Sequence, residues 1–230
     1  MGKGRDGGEV RRLYQDVADK IRALIRTGQF PPSSRLPAER DLAQQLAVSR
    51  PSLREALIAL EIDGTVEIRV GSGVYVLAPV GRIGSATDAL GESPTELMQA
   101  RLAVEGAVVL LASARVTPSF LKRLDGTVAS MRAAIAEDVD PMSHDRAFHL
   151  AIAEQTGNSV LARLVASLFD ERFSRISARI SSRYENRGSW TAAVHEHATL
   201  VRSLEARDSL GAQAAMTRHL QLSAERWVEP

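Results

Sequence analysis

The stretch LPAERDLAQQLAVSRPSLREALIALEIDGTVEIRVGSGVYV, Leu36 to Val76, decides the fold. Pro37 suits the first turn of a helix, and Leu42 and Leu46 carry that helix to about Ala47. Val48-Ser49 makes a short break. Ser49 is placed to cap a second helix, whose first turn tolerates Pro51 and whose buried stripe is Leu53, Leu57 and Leu60. Gly64 ends it. Thr65 to Val70 then alternates, with Val66, Ile68 and Val70 on one face, Gly71-Ser72-Gly73 turns, and Val74-Tyr75-Val76 returns as a strand. Upstream, Val10, Leu13, Tyr14, Val17, Ile21, Leu24 and Ile25 recur at helical spacing until Gly28 and Pro31-Pro32 stop them.

Helix, helix, tight turn, helix, hairpin is the order of a winged helix-turn-helix, whose second tight-turn helix enters the DNA major groove. On that helix Ser49, Arg50, Ser52 and Arg54 crowd the N-terminal end, where the helix dipole also favours phosphate. Arg50 and Arg54 share a face, and Arg35 and Arg40 add charge upstream. Gly71 and Gly73 would let the wing tip come close to a DNA backbone. The competing reading is a solvated face with Arg54 paired to Glu55 or Glu61.

Outside this block, residues 1–9 read as a flexible tail, residues 10–77 as the DNA-binding domain and residues 78–94, with Pro79, Gly81, Gly84, Gly91 and Pro94, as a linker. Residues 95–230 read as an all-α domain with about six helices, near 95–115, 118–137, 141–156, 159–181, 190–206 and 208–227; residues 85–91 could hold one more short helix. The expected fold is thus mainly α, a winged helix followed by an antiparallel helical bundle.

Composition bounds the function. With 44% hydrophobic and 25% charged residues the 230-residue chain is globular, and without cysteine it has neither disulfides nor thiolate metal sites. The longest apolar run, Gly106 to Ala112, is too short for a bilayer, and MGKGRDGGEVRR has no apolar core for secretion, so a cytoplasmic protein without membrane contact is expected. The formal charge of +1 is silent about nucleic acid. Lysine occurs only at Lys3, Lys20 and Lys122; the arginine bias suits phosphate, guanine and carboxylate recognition, though a GC-rich genome would produce it too.

All five histidines, His144, His149, His195, His197 and His219, lie in the second domain. Asp145 and His149 are one helical turn apart, and His149, His197 and His219 come from three helices. A carboxylate with three imidazoles suits zinc, nickel or another divalent transition metal, and facing helices of a bundle can build such a site. Histidines on separate helices can equally be unrelated core or surface residues. His195 and His197 cannot share a face, so at most one is a ligand.

The Leu36–Val76 run closely resembles the N-terminal domain of GntR-type bacterial transcription regulators, a resemblance reaching back to Val10. It implies DNA contact by Arg40, Arg50 and Arg54 and, at the wing tip, by Gly71, with Arg35 as a phosphate contact. On this basis Arg50 and Arg54, with Ser52 beside them, are assigned to base edges and nearby phosphates, and Arg35 and Arg40 mainly to phosphates. DRAFHLAIAEQTGN, Asp145 to Asn158, resembles the signature of the FCD ligand-binding domain of the FadR subfamily, and EHATLVRSLEARDSLGAQAAMTRHL resembles its last two helices. That resemblance implies Asp145, His149, His197 and His219 as metal ligands, leaves out His144 and His195, and places Asn158 in support of the effector site. Arg101 and Glu105 resemble an Arg-x-x-x-Glu segment in which the arginine holds an effector carboxylate; the alternative is a surface i,i+4 pair. Gln99 departs from the glutamate that many relatives carry there. A six-helix domain resembles the shorter, VanR-like version.

Together these imply a homodimeric repressor that binds a pseudo-palindromic double-stranded operator and responds to a small carboxylic acid, such as a sugar acid, bound at the metal. Two alternatives stand beside it. One is a metal-dependent hydrolase or lyase with Glu154 or Glu196 as base; the other is a metal sensor whose metal is structural.

Overall fold

The computed structural model describes residues 12–78 and 90–228. The expected tail and all but the last two positions of the possible helix at 85–91 lie outside the described residues. The chain divides into two compact units, Met1–Ser93 and Pro94–Pro230.

In the first unit, α1 (Leu13–Arg26) buries Tyr14, Val17, Ala18 and Ile21 against α3. α2 (Glu39–Leu46) begins after Pro37, which lies just before the helix instead of in its first turn, and ends at Ala47 in the left-handed region, φ 54°. That reversal makes the tight turn. α3 (Arg50–Ile62) starts on Ser49, whose side chain accepts from the Ser52 backbone N–H, and Pro51 sits in the first turn, where no N–H partner is missed. Leu53, Leu57 and Leu60 are at most 1% exposed. Each such side chain contributes about 1.5–3 kcal/mol of burial, enough to settle which face of α3 turns inward. β1 (Val66–Arg69) and β2 (Gly73–Val76) form an antiparallel hairpin with Val66 opposite Val76. The alternation ends at Ile68, because Val70 is 88% exposed in the turn.

Two features of this unit escape the sequence reading. Residues 33–36 run along β2, with the Ser33 and Leu36 N–H groups donating to Val76 and Val74 carbonyls, which fixes Arg35 beside the wing. Residues 90–93, at the end of the expected linker, are held: Leu90 is buried, the Tyr14 hydroxyl donates to the Gly91 carbonyl, Arg12 pairs with Glu92 at 2.7 Å, and Ser93 Oγ donates to Glu55.

The second unit is all helical: α4 (Pro94–Ser113), α5 (Pro118–Ala136), α6 (Met142–Gln155), α7 (Ser159–Asp170), α8 (Arg175–Tyr184), α9 (Arg187–Glu205) and α10 (Ser209–Val228). Seven α-helices replace the expected six. The single helix expected over 159–181 is broken by a 3-10 turn, Glu171–Phe173, and by Ser174, whose ψ of 157° is extended. Neither glycine nor proline announces this break. Arg172 is buried at it, directed onto Asp145 and Glu185. α4 is the central helix, packed on α6, α7 and α10, and α9 packs on α5 and α10. It buries Leu97, Met98, Val108, Val109 and Ala112, and it also buries Arg101 and Glu105.

Candidate metal centre and nucleic-acid interface

The one-turn spacing on α6 sets Asp145 and His149 side by side, α9 contributes His197 and α10 contributes His219. One ligand atom from each lies within 4.8 Å of all the others. Asp145 Oδ1 is 3.1 Å from His197 Nε2 and 3.5 Å from His149 Nε2, and those two nitrogens are 3.4 Å apart. With metal–ligand bonds of about 2.1 Å, neighbouring ligand atoms fall roughly 3.0–3.4 Å apart around one ion. The donor set also fits a cation in a second respect: Asp145 Oδ1 is buried and makes no aligned hydrogen bond, although it faces the ring nitrogens.

The outer nitrogens are held by carboxylates. Glu105 lies 2.5 Å from His149 Nδ1 and Glu196 lies 2.7 Å from His219 Nδ1, so each imidazole can donate there and turn its Nε2 lone pair inward. Burial pushes His197 down, and burial, with His197 alongside, pushes His219 down to about 3; both are neutral donors of a lone pair. Burial also opposes a charge on His149, but the Glu105 charge and hydrogen bonds to Asp145 and Glu105 outweigh it and raise it. Burial would raise Glu105, yet Arg101 and His149 hold it at about 2. Burial would raise Asp145 too, but hydrogen bonds from His149 and His197 keep it well below the usual carboxylate range.

Arg101 answers neither of its two expected descriptions alone. It does pair with Glu105, Nε to Oε1 at 2.6 Å, but the pair is in the core, with Arg101 fully buried. Its guanidinium lies 4.7 Å over the Phe169 ring, and its two NH2 groups are buried without a hydrogen bond. A cavity of about 40 Å³ opens beside the cluster; Asp145 and His219 line it, with Arg172, Glu185, Trp190 and Arg226, and Arg101 does not. The arginine on the cavity wall is Arg172. Asn158 is also elsewhere: its side chain caps α7, accepting from the Val160 and Leu161 N–H groups, and it is not in the cluster. Of the remaining histidines, His195 is exposed and His144 half-buried, both outside the cluster.

On the first unit, Arg50 at the start of α3, Arg40 on α2, Arg35 and the wing-tip Gly71 (φ 71°) are exposed. Arg35 lies across Gly73, φ 111°, where an added Cβ would come within 2.6 Å of Arg35 Nε. Arg54 is only 8% exposed and pairs with Glu39 at 2.9 Å, the partner being neither Glu55 nor Glu61. Ser52 is likewise withdrawn, its hydroxyl 2.8 Å from Ser49 Oγ within the cap.

Residues 13–76 match the family described as "Bacterial regulatory proteins, gntR family", and residues 96–222 match the FCD domain. The chain belongs to the GntR family. Its domain pair is that of the FadR-like subfamily. Among relatives, the "Uxu operon transcriptional regulator" of Escherichia coli K12 is 33% identical over 96% of this chain and 88% of its own length. The "Exu regulon transcriptional regulator" of the same strain is 33% identical over 93% of this chain and 83% of its own. A solved structure of Streptococcus agalactiae GntR, 25% identical, aligns with a TM-score of 0.50 over 92% of this chain and 99% of that one.

This GntR protein is thus a DNA-binding transcription regulator and not an enzyme. The acids considered as catalytic bases are committed otherwise: Glu154 pairs with Arg123 at 2.7 Å, and Glu196 holds His219 and Arg226. The six-helix count that pointed to the VanR-like group does not hold, since seven helices follow Ser93. Arg172, Trp190, and the supporting roles of Glu105 and Glu196 are what sequence reasoning missed. The carboxylates lie 44 and 23 positions from the histidines they hold, beyond any local pattern.

Proposed function

We propose that this regulator represses transcription as a cytoplasmic homodimer on a pseudo-palindromic operator, and that a small carboxylic acid bound at a divalent-metal centre in the FCD domain releases it. The carrying observation is that Asp145 and His219 belong both to the four-residue ligand cluster and to the wall of the adjoining cavity. A metal held there would have a side open to a ligand, and it would supply Lewis-acid affinity for a carboxylate oxygen. Three imidazoles and one carboxylate favour zinc, with nickel next. Arg172 offers the cavity-facing guanidinium, and Arg101 stands behind it with unpartnered NH2 groups, so buried donors outnumber acceptors around the site.

On the DNA side Arg50 is the base-reading residue with Arg54 next to it, Arg35 and Arg40 take phosphates, and the Gly71 turn follows the backbone. Arg54 must exchange Glu39 for DNA, which sets a threshold against non-specific binding. The acid can release DNA only if it binds the DNA-incompetent state more tightly. The test is operator binding against acid concentration, in metal-loaded and chelated protein, with elemental analysis of both. Acid-dependent release only when metal is present is expected. Fresh protein without metal and with no uptake from zinc or nickel would refute the centre.

A further inference from the structure

The small cavity beside the metal cluster is the inner end of a longer path. Arg172, Glu185, Trp190, Met142 and Asp140 line it and also line a second cavity of about 450 Å³. The inner space holds only a few waters. The outer one falls within the range of about 300–1,000 Å³ usual for ligand sites. The walls of the outer cavity have a definite chemistry. Phe173 is 55% exposed there, although a large apolar side chain is ordinarily covered, and Trp190 offers a second ring. The Trp190 indole Nε1 is buried with no hydrogen bond, an unmet donor on the wall that the two cavities share. Around the rings stand Asp138, Asp140, Glu185, Ser181 and Ser182. Asp138 and Asp140 are exposed. Arg172 is the one base lining the outer cavity, and it is already paired with Glu185 at 2.8 Å.

This rests on the acid-binding reading above: we propose that the outer cavity is a subsite for a neutral, polyhydroxylated chain, so that the effector is a monocarboxylic acid with several hydroxyl groups. Its carboxylate faces the Asp145–His219 end. Its hydroxyls accept from Trp190 Nε1 and donate to the Asp138, Asp140 and Ser181 oxygens, and its C–H faces lie on the aromatic rings. A short acid fills the inner space and leaves the indole unpaired. A diacid brings a second carboxylate against the acidic rim, where like charges repel.

Calorimetric titration of metal-loaded full-length protein with D-gluconate, L-lactate and D-glucarate tests this. Gluconate should bind at least tenfold more tightly than lactate, and glucarate more weakly than gluconate. Trp190→Phe keeps a ring but removes the donor, so the gluconate-to-lactate affinity ratio should fall about fivefold, the worth of one neutral hydrogen bond. Ser181→Ala should narrow the same ratio, and it leaves both tryptophans as fluorescence reporters. Equal affinities for all three acids, tighter binding of glucarate, or ratios untouched by both variants would overturn the subsite while leaving the acid response standing. Binding of none of the three would overturn the acid response and the subsite with it.

Discussion

Glu105→Gln tests how the metal centre is supported. Glu105 is 2% exposed and bridges two groups, taking Arg101 Nε at 2.6 Å on one oxygen and meeting His149 Nδ1 at 2.5 Å with the other. Glutamine keeps the shape and one acceptor but removes the charge, which leaves Arg101 buried beside a neutral amide. Breaking a buried ion pair typically costs about 3–5 kcal/mol. Retention of one acceptor puts the expected loss near the lower end, roughly a 6–12 °C fall in Tm for a domain of this size. His149 loses its anionic partner as well, and such supporting carboxylates are worth about 10–100-fold in metal affinity. The sign with pH follows from Glu105 being held at about 2 against an ordinary 4.5. Its contribution is fully present above 4.5 and is lost as pH falls towards 2, so the variant should flatten that part of the acid limb in metal-free protein. The assays are chelator competition for zinc, thermal unfolding from pH 2 to 7, and operator binding. Metal affinity within twofold of wild type together with an unchanged acid limb would refute the role given to Glu105.

Arg50→Ala should weaken specific operator binding by roughly 1–3 kcal/mol, the worth of a bidentate base contact, and Arg54→Ala should do so too, measured by mobility shift at fixed salt; unchanged affinity in both would remove α3 from the groove. Gly73→Ala forces a Cβ to 2.6 Å from Arg35 Nε at a φ of 111°, so operator affinity should fall and fall little further when Arg35→Ala is added. Arg101→Lys keeps a charge beside Glu105 but loses the planar fork; operator affinity should stay within about threefold while the acid concentration for release rises about tenfold or more. Release at the wild-type concentration would make Arg172 the sole anchor.

What the chain determined by itself is what short-range chemistry encodes. The Ser49 cap with Pro51 behind it, the Leu53–Leu57–Leu60 stripe and the Gly71-Ser72-Gly73 turn act within a few residues, and each is where the sequence puts it. The one-turn pairing of Asp145 with His149 is local in the same way, and the family resemblance carried His197 and His219 to the same point. Tertiary packing decided the rest, because it rests on partners far apart in the chain. Arg54 and Glu39 are 15 positions apart, and Arg101 is a buried pair and not a surface one only because α4 is enclosed by α6, α7 and α10. Asn158 belongs to the helix it caps, a backbone demand that the nearby metal motif concealed. The break at Glu171–Ser174 carries no local signal, yet it sets Arg172 beside Asp145 and opens the cavity where a ligand would meet the metal. Local sequence fixes which side chains share a turn; whether a buried charge or donor is satisfied depends on which distant helix is packed against it.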